Sequence, residues 1–124
     1  KIDRIDHGNR SLEDDALTAR IREAGLTLTV CPLSNLSLCV VDDLKDHPMK
    51  KMLALGLKAT INSDDPAYFG GYMNQNFRET AKAVGLTREE IIQLAKNSFT
   101  GAFLPEAEQA RHLAEIDKVA ASMV

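Results

Sequence analysis

The residues able to carry proton-transfer or metal chemistry gather at three short places along the 124-residue chain. The first is His7, followed by Gly8. An imidazole titrates near neutrality, so it can take or give a proton or bind a metal. It can equally be an ordinary histidine donating to a nearby carbonyl. Gly8 adds to the functional side, because a missing side chain lets substrate or backbone come close. The second place is Asp64-Asp65, within Ser63-Asp64-Asp65-Pro66. Adjacent carboxylates repel unless a cation, a proton or hydrogen-bond donors satisfy them. Along an extended backbone one can face a metal while the other faces a ligand. The competing reading is a helix cap before Pro66, since Asp-Pro is a common turn. The third is Cys31-Pro32 with Ser34-Asn35, residues that either touch a ligand or only shape the loop; the latter is expected. His47 and His112 fall away from these places and are expected to be structural or solvated.

The elements that would position these groups alternate between strand-like and helical patterns. Ile2 to Asp6 is a first extended run, ending at His7-Gly8. Ser11-Leu12-Glu13-Asp14 offers a helix start in which the Ser11 hydroxyl accepts an early N–H. Ala16, Leu17, Ile21 and Ala24 keep helical spacing, and Gly25 stops the helix. Leu26 to Cys31 is β-branched, alternating and cut off by Pro32. A loop through Ser34-Asn35 and an acidic turn follow. Asp46 is placed to cap a helix that buries Met49 and Met52 and ends at Gly56. Leu57 to Asn62 is the third extended run. Beyond it the pattern is helical: Phe77, Ala81 and Val84 close at Gly85, and Thr87 with Glu90 resembles a capping box. Pro105 stands as the first residue of a last helix carrying Leu113, Ile116 and Val119.

Strand and helix in alternation imply parallel strands joined by crossovers. Parallel sheets are usually covered on both faces, and a (β/α)8 barrel needs about 250 residues. The expected fold is therefore α/β: about three βα units plus terminal helices, forming the C-terminal part of a TIM barrel, with residues 1–124 as one portion of a single domain. Active sites of parallel α/β folds gather at the C-terminal ends of strands. All three polar motifs fall at such ends.

Composition sets the outer bounds. The formal charge of -3 and the scarcity of aromatic residues argue against a nucleic-acid partner. No apolar run approaches the roughly 20 residues that span a bilayer. Lys1-Ile2-Asp3-Arg4 has neither an initiator Met nor an apolar leader, and reads as a chain beginning within a longer one. Cys31 and Cys39 form neither a disulfide framework nor a metal knuckle; both are expected to be buried, reduced thiols in a cytoplasmic setting.

The motifs Arg4-Ile5-Asp6-His7-Gly8, Val30-Cys31-Pro32-Leu33-Ser34-Asn35 and Ile61-Asn62-Ser63-Asp64-Asp65-Pro66 together resemble the adenosine and adenine deaminase family of zinc hydrolases. They occur in family order, and the match runs from Arg4 to about Leu104. The stretches Asp46-His47-Pro48-Met49-Lys50-Lys51-Met52-Leu53 and Asn62 to Tyr72 resemble the adenine-acting branch. Tyr68 and Phe69 there either line a pocket for a planar base or pack under the loop. The H-x-E and P-C-x-x-C pattern of the unrelated zinc base deaminases is absent.

The resemblance implies a barrel with one catalytic Zn2+ and a small-molecule purine substrate. Asp64 would be a zinc ligand, and Asp65 would hydrogen-bond the purine ring, at N7. His7 would act on the metal's water, as a base or as a positively charged stabiliser. The expected reaction converts adenine to hypoxanthine and ammonia, in purine salvage. Adenosine deamination is the nearer alternative, and a non-catalytic α/β interaction module the more distant one. The family's remaining zinc-binding histidines and its acidic proton donor have no counterpart here. A catalytic zinc takes three or four protein ligands, so the isolated chain is expected to be inactive.

Overall fold

The computed structural model describes residues 2–123. Three strands, β1 (Arg4–Asp6), β2 (Thr27–Val30) and β3 (Lys58–Ile61), form one parallel sheet in the order β1-β2-β3. Their register pairs Ile5 with Leu28 and Leu28 with Ala59, and pairs Val30 with Ile61. Residues in register share a face of a parallel sheet. One face therefore carries Ile5, Leu28, Val30, Ala59 and Ile61, and the other carries Arg4, Asp6, Thr27, Thr29 and Thr60.

Seven helices surround the sheet: α1 (Asp15–Glu23), α2 (Pro32–Ser37), α3 (Met49–Ala54), α4 (Pro66–Phe69), α5 (Met73–Val84), α6 (Arg88–Thr100) and α7 (Glu106–Ser122). The apolar sheet face packs against Ile21 of α1, Met49 and Met52 of α3 and Leu94 of α6 in a continuous core. Leu28, Val30, Ala59 and Ile61 have no exposed surface there. The opposite face is polar and partly open within the described residues. Thr29 donates its hydroxyl to Asp6 Oδ1 at 2.9 Å on that face. The chain after α6 closes its lower end, where the Arg4 guanidinium lies 4.6 Å above the Phe103 ring.

Local signals explain most of the boundaries, and four differ from the sequence reading. Asp14, rather than Ser11, caps α1 by accepting from the Leu17 N–H at 2.7 Å. Ser11 is instead buried in a short 3-10 turn, Asn9–Leu12. Ser34-Asn35 lies inside α2 rather than in a loop, because Pro32 at its first turn starts a helix too short to show a period. Asp46 ends a second 3-10 turn, Leu44–Asp46, and the first N–H of α3 is taken by the His47 ring instead. Pro105 precedes α7 as its N-cap. The Thr87–Glu90 capping box is present as expected, with both reciprocal bonds made.

α7 buries none of its residues fully. It is held to α6 by the Phe99–His112 stack, with ring centroids 4.4 Å apart, and by the Lys96–Asp117 pair at 2.6 Å. His112 is thus structural, as expected. No helix among the described residues is long and apolar enough to cross a membrane.

Leu28 sits at the centre of the core, and a Cβ on Gly8 would come within 2.8 Å of its Cδ2. A Leu28→Ala variant is expected to lose about 2–5 kcal/mol of unfolding free energy, read from the urea midpoint at constant m-value.

Candidate active site at the strand ends

Register carries the three polar motifs to one level. The His7 N–H donates to the Thr29 carbonyl at 3.0 Å, and the Asn62 N–H donates to the Val30 carbonyl at 2.8 Å. The ladder thus runs one residue past each strand before the chain turns away. His7 and Asp64 make those turns with φ of 58° and 57°. Left-handed backbone costs a residue with a side chain about 1–2 kcal/mol. Strain of this kind persists where surrounding structure over-determines it, and it clusters at functional sites.

Both side chains turn onto the polar side of the sheet, where they line a cavity of about 480 Å³ with Arg4, Cys31, Asn62 and Met73. His7 Nε2 lies 3.7 Å from Asp64 Oδ2. The Ser34 hydroxyl donates to the same Oδ2 at 2.7 Å. Asp64 Oδ1 makes no hydrogen bond among the described residues, which leaves it open to a cation. The loop that supplies these groups is braced by Asn76, whose Oδ1 accepts from the Leu33 N–H at 3.2 Å and whose Nδ2 donates to the Gly71 carbonyl at 2.7 Å. Gly71 cannot carry a side chain: a Cβ would sit 2.3 Å from Leu33 Cδ1.

Cys31 is the third group at this level. One potential ligand atom from each of His7, Cys31 and Asp64 lies within 4.8 Å of the other two. Burial first, and the Asp64 charge second, push the Cys31 thiol up to about 11. The thiol therefore stays protonated at neutral pH and is no nucleophile. Cys31 is buried as expected, whereas Cys39 is exposed, on a left-handed turn with φ of 56°. Both cysteines are free.

Asp65 is placed differently from its neighbour. Its Oδ1 accepts from the Tyr68 N–H at 3.1 Å and caps α4, so the helix-cap reading is realised here. It lies outside the polar cavity. Its second carboxylate oxygen makes no bond among the described residues. Tyr68 is 80% exposed and meets Phe69 edge to face at 4.9 Å, so the loop does not bury it.

Two residues matter more than their sequence suggested. Asn35 is 1% exposed and contacts the His7 ring, with Nδ2 3.3 Å from Nδ1. His47 is 4% exposed, its Nε2 lies 3.1 Å from Asn35 Oδ1, and its Nδ1 accepts from the Met49 N–H at 3.1 Å. Ser34 too does more than shape a loop, since it bonds Asp64 directly. The one available signal was position: Ser34-Asn35 follows a strand end, and His47-Pro48 precedes a helix.

A second and larger cavity, about 850 Å³, runs between α1 and the open edge of β1. Leu17, Ile21, Leu26 and Leu38 make it apolar, and it shares only His7 and Asp6 with the polar cavity. The groups able to do chemistry lie in the smaller one.

A parallel α/β sheet whose polar motifs gather at the C-terminal ends of its strands is the arrangement at the mouth of a (β/α)8 barrel. The family profile described as Adenosine deaminase matches residues 1–119, and the chain belongs to that family. It is 65% identical over 120 residues to an adenine deaminase of Sphingopyxis alaskensis, covering 97% of this chain and 35% of that protein. The crystal structure of an adenine deaminase from Arthrobacter aurescens superposes with a TM-score of 0.94 at 44% identity, covering 97% of this chain and 37% of that one. An amidohydrolase from Burkholderia ambifaria, solved with bound Zn, gives a TM-score of 0.83 at 30% identity, covering 98% and 35%. The chain thus spans about a third of the length of the relatives it matches. Its fold is a TIM-barrel segment, as the strand pattern implied.

The buried His47 has a measurable consequence. Burial lowers its pKa from 6.5 to about 4, so the folded state binds fewer protons than the unfolded state between those values. Stability is therefore full above pH 6.5 and falls as pH drops towards 4, by up to ~3 kcal/mol. Urea titrations across this window are expected to show that loss in the native chain and its absence in His47→Gln.

Proposed function

We propose that residues 1–124 are the C-terminal portion of a (β/α)8 deaminase barrel, and that the complete enzyme hydrolyses adenine to hypoxanthine and ammonia. The observation that carries this reading is the convergence of His7, Cys31 and Asp64 from three separate strand ends on one polar cavity, with Ser34 bonded to Asp64 behind it. Identity of 65% to an adenine deaminase favours adenine over adenosine. Two free cysteines and a salvage reaction on a free base suit a cytoplasmic enzyme.

Zinc fits the donors present. Asp64 offers the anionic oxygen Oδ1, and its other oxygen is held by Ser34; the remaining protein ligands come from outside this chain. When bound, zinc supplies a water acidified to near neutrality. The chain's own part is to hold that place and the substrate beside it. Ser34 holds the Asp64 carboxylate by Oδ2 and leaves Oδ1 without a hydrogen-bond partner among the described residues. His7, whose Nε2 lies 3.7 Å from Asp64 Oδ2, would there meet the oxygen that becomes bonded to C6. Asp65, one residue on, hydrogen-bonds the purine ring at N7 through the oxygen that does not cap α4. The atoms balance simply: a C6–O bond forms, the C6–N bond breaks, one of the water's protons leaves with ammonia and the other ends on the ring.

The test is ammonia release by the complete polypeptide, loaded with zinc and offered adenine and adenosine separately. Turnover of adenine is expected, with a loss of about 10²- to 10³-fold in His7→Ala and about 10- to 100-fold in metal affinity or activity in Ser34→Ala. Preference for adenosine would overturn the substrate. Failure on both, with zinc bound, would overturn the reaction.

A further inference from the structure

Three consecutive hydrogen bonds join the backbone of α3 to the side chain of His7, and only one direction along them is self-consistent. The chain starts at a donor that cannot turn over, the Met49 backbone N–H, which points at His47 Nδ1 from 3.1 Å. That nitrogen must accept, so the neutral His47 ring carries its proton on Nε2. Burial keeps the ring neutral through the physiological range. The Nε2–H then donates to the amide oxygen of Asn35 at 3.1 Å. With its oxygen so engaged, Asn35 presents its NH2 to His7 Nδ1 at 3.3 Å. His7 Nδ1 has to accept in turn, and the proton of the neutral ring stands on Nε2, the nitrogen that faces Asp64.

Amide and imidazole orientations follow from such networks rather than from the heavy atoms alone. Here the fixed backbone donor decides. Reversing the Asn35 amide would set its NH2 against the His47 N–H, two donors face to face. The neighbouring Asn9 does not decide the direction: its Nδ2 lies 3.4 Å from His47 Nε2 and its Oδ1 is buried without a partner, so turning its amide exchanges one mismatch for another.

We infer that Asn35 and His47 are positioning residues, which hold the neutral His7 ring with its proton on Nε2, aimed into the space beside Asp64. This rests on the reading of His7 as the group that acts in the deaminase site, and it removes one of that group's roles, the base at Nε2. A neutral ring held in this way donates a hydrogen bond to an oxygen next to Asp64, and cannot take a proton from it at Nε2. His7 is then a stabiliser of developing negative charge, not a base. The polar tie also explains why two buried side chains, Asn35 and His47, occupy positions where apolar residues would pack at lower cost.

The test is long-range proton–nitrogen correlation NMR on the complete polypeptide, zinc-free and labelled with ¹⁵N-histidine, recorded where His7 is neutral. The native His7 is expected to show a protonated Nε2 and an unprotonated Nδ1. Asn35→Asp replaces the donor facing Nδ1 by an acceptor, and is expected to move the proton to Nδ1, exchanging the character of the two resonances. His47→Phe frees the Asn35 amide and is expected to give a mixture of both tautomers. A role confined to packing would move neither signature. The native spectrum alone is decisive if a variant fails to fold: a proton on Nδ1 of His7 overturns the inference. So does an Asn35→Asp spectrum unchanged from the native one. The measurement involves neither zinc nor substrate, so failure of the deaminase assay and failure of this inference are separate results.

Discussion

The parallel register of three short strands is the constraint on which everything else depends. Pairing Leu28 with both Ile5 and Ala59 fixes which residue of each strand comes last on the ladder. A slip of one residue would send the polar residues of a strand into the core and its apolar ones outward. It would also separate His7 from Asp64. The core and the site therefore depend on the same alignment, one on each face of the sheet. The cost of the site is visible in the left-handed turns at His7 and Asp64. It is offset by the buried face, where Leu28, Val30, Ala59 and Ile61 are wholly enclosed.

Around that alignment the site is built in two layers. The inner layer is His7, Asp64 and the Cys31 thiol, side chains from three strand ends with their potential ligand atoms mutually within 4.8 Å. The outer layer is Ser34, Asn35 and His47, which decide how the inner groups are presented. Ser34 commits one oxygen of Asp64 and leaves the other free. Asn35 and His47 hand the direction of a backbone N–H on to the His7 ring. A carboxylate and an imidazole so oriented need little reorganisation when charge develops between them.

Much of this was legible in the sequence, and what was not has physical reasons. The strands, Gly25, Gly56 and Gly85 as helix stops, and the Thr87–Glu90 box are local features, written in periodicity and backbone preference. The convergence of His7 with Asp64 followed from the rule for strand ends. The tie between Asn35 and His47 was not legible, since nothing local marks residues 12 apart as partners. α2 escaped notice because six residues are too few for a helical period. Cys39 was taken for buried on the habit of free cysteines, yet lies on an exposed turn. The resemblance implies that Asp65 hydrogen-bonds the purine ring, and in the structure one of its oxygens caps α4.

The central claim is that Asp64, held by Ser34 at one oxygen, presents the other to a metal in the polar cavity at the strand ends. An anomalous difference map at the zinc edge, from crystals of the complete zinc-loaded enzyme, tests this most directly. The account predicts one peak in coordination contact with Asp64 Oδ1, in the space that His7 Nε2 faces. A peak bound by Asp65 instead, or one from which Asp64 is turned away, would contradict it.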